Sequence, residues 1–109
     1  MTTPRIDINI AKIAHNAKEL KELYGSKGVR VIGVTKVVCG DSNIADALLK
    51  SGISVLADSR IANIRRMRDA GIQAQFVLLR TPIPSQIEDV VRYTDISLNS
   101  ELLVIKALS

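Results

Sequence analysis

The hydrophobic positions along this chain change period in a regular way. Thr2–Ile8 reads as a short extended lead-in, with Ile6 and Ile8 on one side and Asp7 on the other. From Ile10 to Tyr24 the apolar residues Ile10, Ile13, Ala14, Ala17, Leu20 and Tyr24 fall at helical spacing. Asn9 stands before them as an N-cap, and Gly25 and Gly28 stand behind as a stop. The β-branched run Val29–Lys36 predicts a strand. Asp41 and Ser42 cap a helix whose apolar face is Ile44, Ala45, Leu48 and Leu49, closed by Gly52. Two further strand–helix units follow. Ile53–Ala57 leads into a helix over 59–70 with Ile61, Ile64 and Met67 inward. Gln75–Leu79 leads into a helix opened by the Ser85/Glu88 capping box. Asp95–Leu98 predicts a fourth strand, and Ser100 and Glu101 open a last helix.

This is one unit repeated: strand, loop, helix, loop. The polar residues just past the strands are Lys36, Asp58, Arg80 and Asn99, spaced 22, 22 and 19 residues apart. A βα repeat of about twenty residues predicts stacked parallel strands with helices outside. Right-handed crossovers then bring all four strand C-termini to one edge, where the sites of α/β folds lie. The first strand is followed by Val37-Val38-Cys39-Gly40, which matches neither glycine-rich phosphate loop, so the pattern favours a (β/α) barrel over an open doubly wound sheet. A complete barrel of that kind takes about 250 residues. The 109 residues therefore read as the N-terminal portion of such a barrel domain, with no internal domain boundary.

Composition narrows the function. The chain is 47% hydrophobic and 24% charged, which is ordinary for a globular protein, and its few aromatics leave a core of Ile, Val, Leu and Ala. The net charge is +4, but the densest basic stretch, Arg60, Arg65, Arg66 and Arg68, sits on a predicted helix without interleaved aromatics, so nucleic-acid binding is not expected. No apolar stretch approaches the ~20 residues of a membrane span, and no signal-peptide pattern opens the chain. The single cysteine, Cys39, excludes an internal disulfide and fits a cytoplasmic protein. With one histidine, His15, on a helix away from the strand ends, neither a metal site nor a hydrolase triad is expected.

Four residues at the expected edge carry possible chemistry. Lys36 reads either as a nucleophilic amine able to condense with a carbonyl or as a lysine reaching solvent from a strand end. Arg80 ends an apolar strand and suits a phosphate, carboxylate or phenolate, or simply faces water. Cys39 is an acid/base thiol facing substrate or, more commonly for the residue type, a small buried side chain. Asn99 offers an amide to a ligand. Asp58 and Ser59 read first as helix caps.

Several stretches carry a family resemblance. Arg5-Ile6-Asp7-Ile8-Asn9 with Ile13-Ala14-His15-Asn16, Val34-Thr35-Lys36, Leu56-Ala57-Asp58-Ser59-Arg60 with Asn63-Ile64, and Asp95-Ile96-Ser97-Leu98-Asn99-Ser100-Glu101 resemble alanine-racemase-like, fold-type III enzymes that depend on pyridoxal 5′-phosphate (PLP). They are most similar to the alanine/ornithine racemase branch. The resemblance implies an α/β fold, the N-terminal half of a TIM-type (β/α)8 barrel. It implies that Lys36 holds PLP as a Schiff base, with Arg80 and Ser59 on the cofactor side and Cys39 and Asn99 on the substrate side. It implies removal of the α-proton of an amino acid, ornithine or alanine, with Lys36 as one of two bases, and a homodimer whose partner often supplies the second base. Two other readings stay open: a PLP-binding homeostasis protein of the same fold without turnover, and an inactive, self-associating half barrel.

Overall fold

The computed structural model describes residues 7–98 and 102–109. The elements alternate from the start. Helix α1 (Ile10–Gly25) precedes strand β1 (Gly33–Val34), α2 (Ser42–Lys50), β2 (Val55–Asp58), α3 (Ile61–Asp69), β3 (Gln75–Leu78), α4 (Ile87–Tyr93), β4 (Ile96–Ser97) and α5 (Leu102–Leu108). The four strands form one sheet in the order β1-β2-β3-β4, and every pairing is parallel.

Caps explain the starts of α1 and α2 and the ends of α2 and α3. Asn9 accepts a hydrogen bond from the Lys12 N–H at 3.0 Å, and Asp41 accepts from Asn43 and Ile44. Gly52 and Gly71 follow α2 and α3 at φ +98° and +86°, the left-handed backbone that ends a helix without steric cost. The expected Ser85/Glu88 capping box does not form. Pro84–Gln86 winds into a 3-10 turn instead, and α4 starts at Ile87 without a side-chain cap. A proline at the first turn position already presets φ there.

The sheet has two unlike faces. Leu56, Phe76 and Leu78 point to the side where Ala17, Ala45, Ile61, Ile64, Met67 and Val90 of four successive helices pack into the main core. The alternate strand residues Val55, Ala57 and Val77, with Leu79, form a small cluster on the other face. Period-two alternation produces this division. The described helices of the core therefore lie on one side, and strand order never reverses. A doubly wound sheet would have helices on both faces and a reversal point, so the winding is that of a barrel.

The first strand is much shorter than its sequence suggests. Of the run 29–36, only Gly33 and Val34 are strand. Thr35 has φ −105° and ψ 4°, which is not extended, and Lys36–Val38 turns into a 3-10 helix. β-branched composition favours strand, but a strand needs a partner, and here the partner run of β2 only begins at Val55. Lys36 is thus the first residue of a turn and is exposed, not the end of a buried strand.

Candidate functional site

The C-terminal ends of β1 and β2 bring a polar cluster together. Register pairs Val34 with Ala57, so Thr35 lies beside Asp58, on the helix side of the sheet with Leu56. Both are fully buried. The Thr35 hydroxyl donates to Asp58 Oδ2 at 2.8 Å, with the Ala57 carbonyl as a longer alternative acceptor at 3.3 Å. Asp58 Oδ1 accepts from the Arg60 N–H at 2.9 Å and from the Asn63 amide Nδ2 at 3.1 Å. A buried carboxylate is costly unless donors surround it, and here three donors do. The helix-cap role expected of Asp58 and Ser59 does not form, because Arg60 is the N-cap residue of α3 and no side chain caps it; Asp58 instead braces the loop before α3 and reaches across to the end of β1.

Above this cluster stands the turn that carries Lys36. The Thr35 carbonyl accepts from the N–H groups of Val38 and Gly40, both at 3.2 Å. Cys39 is left-handed at φ 54° and Gly40 at φ 64°. Arg66 of α3 donates from Nη1 to the Cys39 carbonyl at 2.9 Å. Lys36 itself is exposed, and no ion pair among the described residues engages its ammonium. Cys39 is exposed as well, not the small buried side chain its residue type favours.

The other expected residues sit elsewhere on the same edge. Ser59 and Arg80 line one cleft of about 360 Å³, together with Arg60, Thr81 and Gln86, between the starts of α3 and α4. Apolar residues make up the other half of the lining, and the two arginines among the polar half are the residue type that suits an anion. Lys36 does not line that cleft. Asn99 lies outside the described residues. His15 is exposed on α1, 3.9 Å from Glu19. Among the described residues no group of three or more His, Cys, Asp or Glu could hold a metal ion, and no helix is long and apolar enough to cross a membrane.

Thr35, Asn63, Arg60 and Arg66 were not expected at the site. Asn63 had a legible signal: it is the one polar residue among the inward positions Ile61, Ile64 and Met67 of α3. Arg66 had none, because its role is to hold a backbone carbonyl 27 residues away.

Residues 8–107 match the family described as alanine racemase, N-terminal domain. The chain belongs to this family. It is 42% identical over 95 residues to a lysine racemase of Thermotoga maritima, covering 87% of this chain and 27% of that protein. It is 39% identical over 106 residues to an ornithine racemase of Acetoanaerobium sticklandii, covering 97% of this chain and 30% of that protein. The fold matches an alanine racemase from E. faecalis with a TM-score of 0.77 at 17% identity, over 93% of this chain and 28% of that structure. The chain thus spans less than a third of the length of these relatives. Within the alanine racemase N-terminal fold the four βα units are the N-terminal half of the TIM-type barrel, and the face bearing Val55, Ala57 and Val77 is its interior.

Proposed function

We propose that this segment belongs to a PLP-dependent amino acid racemase in which Lys36 holds the cofactor, and that the substrate is a basic amino acid such as ornithine or lysine. On this reading residues 1–109 are the N-terminal portion of the barrel domain. The observation that carries it is the position of Lys36: an exposed amine, without an ion pair among the described residues, on a turn fixed at the C-terminal edge of a parallel sheet of this family. The lysine and ornithine racemases support the substrate class.

The residues present fit PLP chemically. Lys36 supplies an accessible primary amine for a Schiff base. Arg80 and Ser59, with Arg60 beside them, line a separate cleft on the same edge that offers donors to an anionic group. When bound, the cofactor supplies an electron sink for the charge left at the substrate α-carbon. The chain's own part is to hold and move protons. The Lys36 Nζ would hold the cofactor and, once free of it, would accept the α-proton of one enantiomer on its own face, or deliver a proton on that face when the other enantiomer is converted. Inversion needs a second group on the opposite face; Cys39, exposed three residues on, is the candidate this chain offers.

The test uses the complete protein. Borohydride treatment should fix the cofactor to Lys36, located by peptide mass. Each enantiomer of ornithine, lysine and alanine is then added and optical rotation followed. Loss of rotation with ornithine or lysine is expected. No change with any of the six would remove the racemase assignment and leave a cofactor-binding protein without turnover. An adduct on another residue would remove Lys36 from its role.

A further inference from the structure

We propose that Asp58 is a positioning residue for Lys36, acting through Thr35. The inference rests on the reading of Lys36 as the cofactor lysine.

A carboxylate that only starts a helix needs the local donors. The Arg60 N–H and the Asn63 amide, two and five residues on, meet that need on Oδ1 alone. Oδ2 is used differently: it accepts from the hydroxyl of Thr35, 23 residues earlier, just past the end of the neighbouring strand and directly before Lys36. Asp58 therefore ties the start of α3 to the residue from which the lysine turn springs.

Thr35 is held at every polar group it has. Its N–H donates to the Ala57 carbonyl at 2.9 Å, its hydroxyl to Asp58, and its carbonyl receives Val38 and Gly40. With the hydroxyl fixed, Thr35 leaves extended geometry at ψ 4°, and that departure starts the turn at Lys36. The far end of the turn is fixed by the same helix. Arg66 holds the Cys39 carbonyl, and Gly40 packs on the Asn63 backbone. The Lys36 side chain is exposed, yet the backbone beneath it is clamped at both ends to β2 and α3. Such a base fixes the approach of a reacting amine, and a displacement of an ångström there costs rate steeply.

The test is made on the complete holoenzyme. Thr35→Val keeps the shape and deletes the hydroxyl; Thr35→Ser restores it. Val90→Ala, in the core at α4, matches the loss of stability without touching the turn. kcat, KM, the unfolding temperature and the pH midpoint of the visible cofactor absorbance are measured for each. Thr35→Val should lower kcat about tenfold or more with little change in KM. It should also shift the pH midpoint, with Thr35→Ser near wild type and Val90→Ala changed in stability only. Should Thr35→Val not fold, Asp58→Asn keeps the Oδ1 acceptor and the volume and should shift the same midpoint. An adduct at Lys36 in the wild type, together with unchanged kcat and midpoint in these variants, overturns the proposal alone and leaves Asp58 a local brace of the loop before α3. No adduct at Lys36 in the wild type overturns the cofactor reading, and the proposal with it.

Discussion

Gly40 lies so close to Asn63 that a Cβ added to it would meet the Asn63 Cβ and carbonyl oxygen at 3.0 Å. Its φ of +64° is also in the left-handed region. Gly40→Ala therefore meets both backbone strain and a close contact with main chain. Gly28 is the natural control, because it has φ +75° and nothing within 4 Å of an added Cβ. Gly28→Ala should cost about 1 kcal/mol from conformation alone, and Gly40→Ala about 2–3 kcal/mol. Equal losses in denaturant unfolding would show that the packing of the lysine turn on α3 contributes nothing.

A second prediction concerns the opposite end of the sheet. Arg68 of α3 lies over the Phe76 ring at 4.6 Å, donates from Nε to the Tyr93 carbonyl at 2.6 Å, and pairs with Asp95 at 3.0 Å. The same Asp95 oxygen accepts the Phe76 N–H at 2.8 Å. One guanidinium thus joins α3, β3 and the chain between α4 and β4. Arg68→Met should destabilise by about 1–3 kcal/mol, and Arg68→Lys should recover only part, because an ammonium lacks the planar fork. The contrast is Lys50, whose ammonium pairs with Asp46 at 2.8 Å on the open surface. The hydrogen bond to Asp46, then its charge, raises the Lys50 pKa. Any stability from it exists below the ordinary lysine range and vanishes as pH climbs through the raised value. Solvent and salt screen it, so Lys50→Met should leave the unfolding temperature unchanged in high salt.

Much of this architecture could be read from the chain, for identifiable reasons. The βα order and the single-edge placement followed from helical spacing, glycine stops and strand runs, signals that each depend on neighbours close in sequence. The length of β1 did not, because pairing with β2 decides it. A β-branched run from Val29 to Lys36 has no local feature telling that only Gly33 and Val34 find partners. Asp58 reads as a helix cap, yet no side chain caps α3 and its second oxygen serves Thr35, a link that exists only once two strands stand side by side. Arg80 was placed at the edge correctly, but its cleft lies between the starts of α3 and α4, where strand alternation past Leu78 puts it, and Lys36 lies outside it.

Exposure separates a chemical role for Lys36 from a structural one. With its side chain in solvent and no ion pair among the described residues, Lys36→Ala should change stability by no more than about 0.5 kcal/mol. The same substitution should abolish the borohydride-stable adduct and the visible absorbance of the complete protein. A large drop in unfolding temperature would instead mark Lys36 as part of the scaffold.

The cleft at Arg80 makes the last prediction. Arg80 is exposed, so Arg80→Ala should leave the unfolding temperature of the cofactor-free protein unchanged. A charge-assisted hydrogen bond to phosphate contributes about 1.5–3 kcal/mol, so PLP retention should weaken about tenfold or more. Arg80→Lys should fall between, since a point charge keeps attraction but loses the two-pronged geometry. Ser59→Ala, removing one neutral donor from the same cleft, should cost about 0.5–1.5 kcal/mol of binding. Inorganic phosphate should compete with PLP in the wild type and lose most of that effect in Arg80→Ala. If Arg80→Ala instead keeps wild-type PLP retention and raises KM for the amino acid, the cleft receives the substrate carboxylate. The cofactor phosphate must then be held by groups other than Arg80.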